Sequence, residues 1–154
     1  MTARTVRVVA ALIESDGKIL ACQRRRGSRF ELLWEFPGGK VEAGEMLEAA
    51  LARELREELA VTARIGCEVF RTRHTYADQN LPLEIVFFSA TADRQKIQNL
   101  EFERIDWRAP ESLRELDFLP ADREMISQLA SGAIRVHGEA LQPLNPRDST
   151  REGF

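Results

Sequence analysis

The feature that most restricts this chain is a glycine turn feeding a helix of regularly spaced leucines. Residues 34–39 read "WEFPGG", and Pro37, Gly38 and Gly39 interrupt any regular element. From Glu45 to about Leu59 the pattern is helical, with Leu47, Leu51, Leu55 and Leu59 at every fourth position. That stripe is the face that packs. Glu54, Glu57 and Glu58 stand at i, i+3 and i+4 on the neighbouring face. Like charges so placed repel one another, so something positive has to offset them. Three carboxylates on one face form a hard-oxygen cluster suited to Mg²⁺ or Mn²⁺. The glycine pair lets a backbone carbonyl reach the same ion with no side chain in the way. Arg53 fits as the partner that fixes one carboxylate's rotamer. The alternative is a solvated helix with pairs such as Arg53 and Glu57. Three glutamates alone favour that alternative, but it leaves the turn at its fixed offset unexplained.

The rest of the chain reads as strands with a second helix. "TVRVVAALIE" at 5–14 and "KILACQRR" at 18–25 are strands joined by an Asp16-Gly17 hairpin turn. "RGSRFELL" is a loop. Residues 63–76 and 82–92 form two more strands with "ADQN" between them, and 102–107 is a short one. Pro110 to Leu116 is a loop or helical turn. Pro120 opens a helix to about Ser131, at an allowed first-turn position. Strands, helix, strands, helix predict an α+β fold in which a mixed sheet is sandwiched between helices. Residues 1–134 read as the domain and 135–154 as an irregular C-terminal tail.

Composition narrows the function. A chain of 154 residues fits one domain, and 44% hydrophobic with 31% charged residues argues for a packed core. A formal charge of −3 with no basic stripe argues against a nucleic-acid polymer as partner. An acidic protein can still take a polyphosphate when divalent metal bridges the negative charges. Cys22 and Cys67 match no zinc spacing, and Cys22 lies in an apolar run that reads as buried. A reducing, cytoplasmic setting is expected. "VVAALI" is too short for a membrane span. His74 and His137 show no ligand spacing and are assigned no role.

Written out, the spacing is Gly39, five residues, Glu45, seven residues, then Arg53-Glu54-Leu55-Arg56-Glu57-Glu58-Leu59-Ala60-Val61. This resembles the Nudix box, Gly-x5-Glu-x7-Arg-Glu-U-x-Glu-Glu-x-Gly-U, with U a bulky aliphatic. The one departure is Ala60, which stands where the family has a glycine that ends the helix. Ala60 either extends the helix or strains the turn. A pattern with this many fixed positions is specific.

"WEFPGGKVE" and "FLPADREMI" are similar to the MutT-type branch, and the resemblance runs from residue 5 to about 131. It implies the Nudix fold and Mg²⁺- or Mn²⁺-dependent hydrolysis of a nucleoside triphosphate, such as 8-oxo-dGTP, to monophosphate and pyrophosphate. Cytidine or modified-pyrimidine triphosphates and nucleoside-diphosphate sugars are the alternatives within the family. A nucleotide-binding module without activity is the alternative outside enzymes. The implied metal set is Gly39, Glu54, Glu57, Glu58 and Glu101. Glu101 matches a loop glutamate of MutT-type proteins; otherwise it is a surface acid beside Glu103. Arg24, Phe36, Asp122 and Lys40 are the implied substrate contacts. Phe36 reads equally as core, and Arg24 as part of the solvated run "QRRR". Asp122 also reads as an acid complementing a helix dipole. It departs from the asparagine of the bacterial pattern, because an ionised aspartate only accepts hydrogen bonds. Such an acceptor suits the N–H groups of guanine or the amino group of cytosine. A hairpin arginine holds the nucleotide in some members, and Arg71 and Arg73 both qualify until strand register is known. The partner expected is a small nucleotide, and the protein a monomer or homodimer.

Overall fold

The hairpin at Asp16-Gly17 sets the first register. Both residues take positive φ (52° and 75°), the geometry of a tight hairpin turn. It joins β1 (Val6–Ser15) to β2 (Lys18–Gln23). The computed structural model describes residues 5–78 and 80–136. After β2 come β3 (Trp34–Glu35), β4 (Gly38–Lys40) and helix α1 (Leu47–Leu59). Then follow β5 (Arg64–Thr75), β6 (Pro82–Thr91), β7 (Arg104–Arg108) and helix α2 (Arg123–Ala130).

The strands form one mixed, bifurcated sheet. β1 pairs parallel with β6 along its length and antiparallel with β4, and β5 closes the edge against β6. The end of β1 turns into a second branch, where β2 pairs with β3 and β7. Alternation along β1 separates two cores. Ala10 and Leu12 face one with Phe36, Phe87, Phe118 and the apolar side of α2. Val9, Ala11 and Ile13 face the other with Leu51, Leu55 and Leu59 of α1. The expected leucine stripe is thus the packed face. The α+β sandwich and its mixed sheet are as the sequence implied.

Two local expectations change. "WEFPGG" is not a plain break, because β3 and β4 flank Phe36-Pro37. Strands of two and three residues are too short to show periodicity. The helix expected from Pro120 begins as a 3₁₀ turn, Pro120–Asp122, before α2 starts at Arg123. At Pro110, of the two readings, loop or helical turn, the structure has the helical turn, a 3₁₀ helix over Pro110–Glu115. At the end of α1, Ala60 does not extend the helix. It takes φ 54° and ψ 29° and donates its N–H to the Arg56 carbonyl. Ile134 and Val136 still pack against the core on the α2 side. His137 and the rest of the expected tail lie outside the described residues.

Candidate active site

The glycine pair brings β4 against both β1 and α1. A Cβ at Gly38 would stand 2.0 Å from the Val9 carbonyl oxygen, and φ there is 151°. A Cβ at Gly39 would stand 2.5 Å from the carboxyl carbon of Glu54. Gly38 therefore requires glycine, while a side chain at Gly39 would have to displace the Glu54 carboxylate. The space saved at Gly39 is filled by a carboxylate. One residue earlier, the Gly38 N–H donates to Glu58 Oε1 at 2.9 Å.

Arg53 organises the acids on α1. Its Nε and Nη2 grip both oxygens of Glu45 at 2.9 and 3.0 Å. Nη1 reaches Glu54 at 3.0 Å and Glu57 at 3.4 Å, and Nη2 also donates to the Lys40 carbonyl at 3.1 Å. Arg53 is thus the positive partner the glutamate face requires. Its hydrogen bonds, with a backbone bond from Glu42, hold the Glu45 carboxyl down to about 2. Glu45 belongs to the fixed spacing, yet sequence reasoning gave it no role; here it buttresses Arg53.

Glu58 is different. It is 8% exposed. Burial pushes its carboxyl up to about 9, against the pull of the Gly38 N–H and with help from the charges of Glu35, Glu54 and Glu101. Burial also raises Glu54, although Arg53 opposes it. Glu57 remains mostly exposed at the helix surface. Glu101 is exposed on the loop before β7, within electrostatic reach of Glu58 and Glu35.

The donors fit a hard divalent cation. They are all oxygens, they crowd against one another, and the Gly39 backbone lies beside Glu54. Among the described residues no three acidic, histidine or cysteine side chains already grip one point. Magnesium does not need that, since it keeps waters and takes only one or two carboxylates with substrate phosphates.

A cavity of about 410 Å³ opens from the same glycines. Gly38, Gly39 and Lys40 line one end, and Asp122, Ala121 and Leu119 the other. Its floor is the face of β1 and β6 carrying Val8, Ala10 and Ile85. Arg24, Phe36, Lys40 and Asp122 all reach this cavity. Phe36 does so only at its margin, being 4% exposed and packed on Phe118 with ring centroids 5.2 Å apart. Asp122 is 6% exposed and accepts no side-chain hydrogen bond among the described residues. Burial first, then the charge of Glu35, raises its carboxyl well above the usual range. β3 holds this corner, because Trp34 exchanges backbone bonds with Asp117 and Leu119 just before the Asp122 turn.

Four cavity-lining residues were missed. Glu35 pairs with Arg24 at 2.9 Å, and the same guanidinium donates Nε to the Arg29 carbonyl at 2.7 Å. Phe30 and Tyr76 wall the mouth, with centroids 4.9 Å apart. The Arg29 guanidinium lies over both rings and bonds Asp78 at 2.6 Å. The only sequence signal for Glu35 was its place beside Phe36; Phe30 and Tyr76 gave none. Register settles the hairpin arginines. Arg71 and Arg73 pair with buried Glu84, on the α1 side of the sheet and away from the cavity. His74 is on the cavity side and packs edge-on against Tyr76 at 4.4 Å.

Known proteins are similar to this chain in sequence and fold. The NUDIX domain family model matches residues 3–129. A CTP pyrophosphohydrolase of Escherichia coli K12 is 38% identical over 122 residues, covering 77% of this chain and 87% of that protein. Nucleoside triphosphatase NudI of Escherichia coli O139:H28 is 35% identical, covering 77% of this chain and 92% of its own. The E. coli ORF135 protein, solved in solution, superposes with a TM-score of 0.74 at 34% identity over 93% of this chain and 96% of its own. A MutT protein from Methanosarcina mazei Go1 has the same fold, with a TM-score of 0.75 at 21% identity over 88% of this chain and 99% of its own. Among the described residues no helix is long and apolar enough to cross a membrane. Box, fold and relatives agree: this chain belongs to the Nudix family and is a hydrolase of diphosphate linkages in nucleotides.

Proposed function

We propose that the protein hydrolyses a nucleoside triphosphate to the monophosphate and pyrophosphate, with a cytidine-type base as the first choice. The observation that carries this reading is the cavity running from the glycines packed on Glu54 and Glu58 to Asp122. Phosphates at the glycine end and a base at the Asp122 end match the chemistry of its lining.

Glu57, Glu58 and the Gly39 carbonyl would hold Mg²⁺ or Mn²⁺, with Glu101 completing the set and Glu54 serving as ligand or water-orienting group. The ion supplies charge neutralisation on the phosphates and a more acidic water. Arg53 holds Glu54 and Glu57 in place before substrate arrives. Lys40 and Arg24 stand at the cavity wall where phosphate charge would be met. Water attacks an internal phosphorus in line and the distal diphosphate leaves as pyrophosphate. Positioning and electrostatics account for the acceleration, without covalent catalysis.

At the base end, burial favours a proton on Asp122. A neutral carboxyl both donates and accepts. That pair of functions complements cytosine N3 and its amino group. The similarity to a CTP pyrophosphohydrolase supports this choice. The same carboxyl also complements guanine O6 and N1–H, which keeps 8-oxo-dGTP as the second reading. The test is initial-rate pyrophosphate release with Mg²⁺ from CTP, dCTP, 5-methyl-dCTP, dGTP, 8-oxo-dGTP and ADP-ribose. Highest kcat/KM on a cytidine triphosphate supports the first reading. Preference for 8-oxo-dGTP replaces it with the second, and no turnover of any nucleotide removes both.

A further inference from the structure

The turn that presents Glu101 is closed by a side chain. Asn99 Oδ1 accepts the Phe102 N–H at 2.8 Å, and Asn99 Nδ2 donates to the Phe102 carbonyl at 2.8 Å. The residues on either side of Asn99 are tied to the end of α1. Gln98 N–H donates to the Leu59 carbonyl at 2.9 Å and Leu100 N–H to the Glu58 carbonyl at 3.0 Å. Helix-end carbonyls lack intrahelical donors, so these bonds also cap α1. Across the turn, Arg25 Nη2 donates to the Leu100 carbonyl at 3.1 Å. Glu103 N–H donates to the Gln23 carbonyl at 2.9 Å, and the Phe102 ring is buried in the α1-side core. The backbone around Glu101 is therefore fixed from both sides. Its own carboxylate makes no hydrogen bond or ion pair among the described residues, while its charge is felt by Glu58 and Glu35.

We propose that Asn99 is a positioning residue: its amide locks the 99–102 turn so that Glu101 faces the Glu58 end of the site before any ligand arrives. This rests on the reading of Glu101 as a site carboxylate. A short side-chain amide offers its acceptor and its donor on separate atoms, one for each group of Phe102. Aspartate would keep the acceptor for the Phe102 N–H but face the Phe102 carbonyl with a second acceptor. Alanine would keep neither. A turn not ordered in advance has to be ordered when the cation binds, and that cost appears as lost affinity.

The experiment titrates the full chain with Mn²⁺ alone and reads free Mn²⁺ by electron paramagnetic resonance. It compares wild type, Asn99→Ala, Glu101→Gln and the double variant, with circular dichroism as the check on folding. Asn99→Ala is expected to weaken Mn²⁺ binding roughly tenfold, the size typical of residues that support a ligand from behind. In the double variant it adds nothing to Glu101→Gln, because its effect runs through that carboxylate. Asn99→Asp, which keeps half the closure, shows an intermediate loss and carries the comparison if the alanine variant does not fold. Wild-type affinity in Asn99→Ala beside a weakened Glu101→Gln overturns the role of Asn99 alone. Full additivity overturns it too. Unchanged affinity in Glu101→Gln removes Glu101 from the site, and the proposal falls with it.

Discussion

Asp122 shows what a single side chain reveals when its surroundings withhold partners. It is buried, it lines the cavity and it accepts no side-chain hydrogen bond among the described residues. Its pKa is raised in the folded protein, so the unfolded chain releases the proton first as pH climbs. Its contribution to stability is then full below the unfolded aspartate value, near pH 4, and is lost as pH rises above it. An asparagine in its place would carry no such penalty. Asp122→Asn is expected to match wild type at about pH 3.5 and to be more stable than it at pH 7, because burial opposes the ionisation that the unfolded chain gains there. Urea midpoints at the two pH values check this. The same substitution is expected to lower kcat/KM for the preferred triphosphate. Glu57 makes the complementary case, being exposed and held only by Arg53 among the described residues. Glu57→Gln is expected to keep the thermal midpoint within about 1 °C, as surface substitutions do. It should cut kcat at least a hundredfold if the residue holds the cation, measured as pyrophosphate release.

Secondary-structure elements explain why some of the site was readable in the sequence and some was not. The acids of α1 were legible because helical period and motif spacing are local properties. Gly39 was legible because a fixed offset tied it to that helix. Glu35 was not, since β3 has two residues and no pattern. Phe30 and Tyr76 come from a loop and a distant hairpin end, and only the folded sheet brings them together. Arg71 and Arg73 required the register of β5 on β6, including its irregularity between Ile65 and Phe70. Ala60 was flagged by its departure from the motif, and the structure resolves its two readings toward strain at φ 54°. A non-glycine residue in the left-handed region costs on the order of 1 kcal/mol. Ala60→Gly is therefore expected to raise stability by roughly 0.5–1 kcal/mol, partly offset by the greater freedom of glycine in the unfolded chain. Thermal unfolding reads it as a rise of a few degrees, with turnover unchanged.

For the whole molecule, the decisive property is negative charge gathered beside a cavity built to receive more. The carboxyls of Glu35, Glu54 and Glu58 are all shifted upward from the ordinary glutamate value, burial being the first cause for each. A cation bound only by the folded state stabilises it by mass action. Saturating Mg²⁺ or Mn²⁺ at a mildly alkaline pH is expected to raise the thermal midpoint by several degrees, and EDTA to reverse the rise. No shift with either ion would remove the metal from the proposal.

The glycine pair of β4 has one more consequence. At Gly38 and Gly39 no side chain stands between the helix with its acids on one face of the sheet and the cavity on the other. On the proposed reading, the acids that would hold the cation and the wall that would meet the base are separate parts that meet at a bare stretch of backbone. The wall is assembled from a loop, a hairpin end and the turn before α2, none of which supplies a residue to the glutamate helix. Diversification of substrate range in such a scaffold can proceed by exchanging those three segments while the reaction stays constant. An inhibitor can follow the same division: an uncharged compound filling the Asp122 end would block the nucleotide without imitating its phosphates.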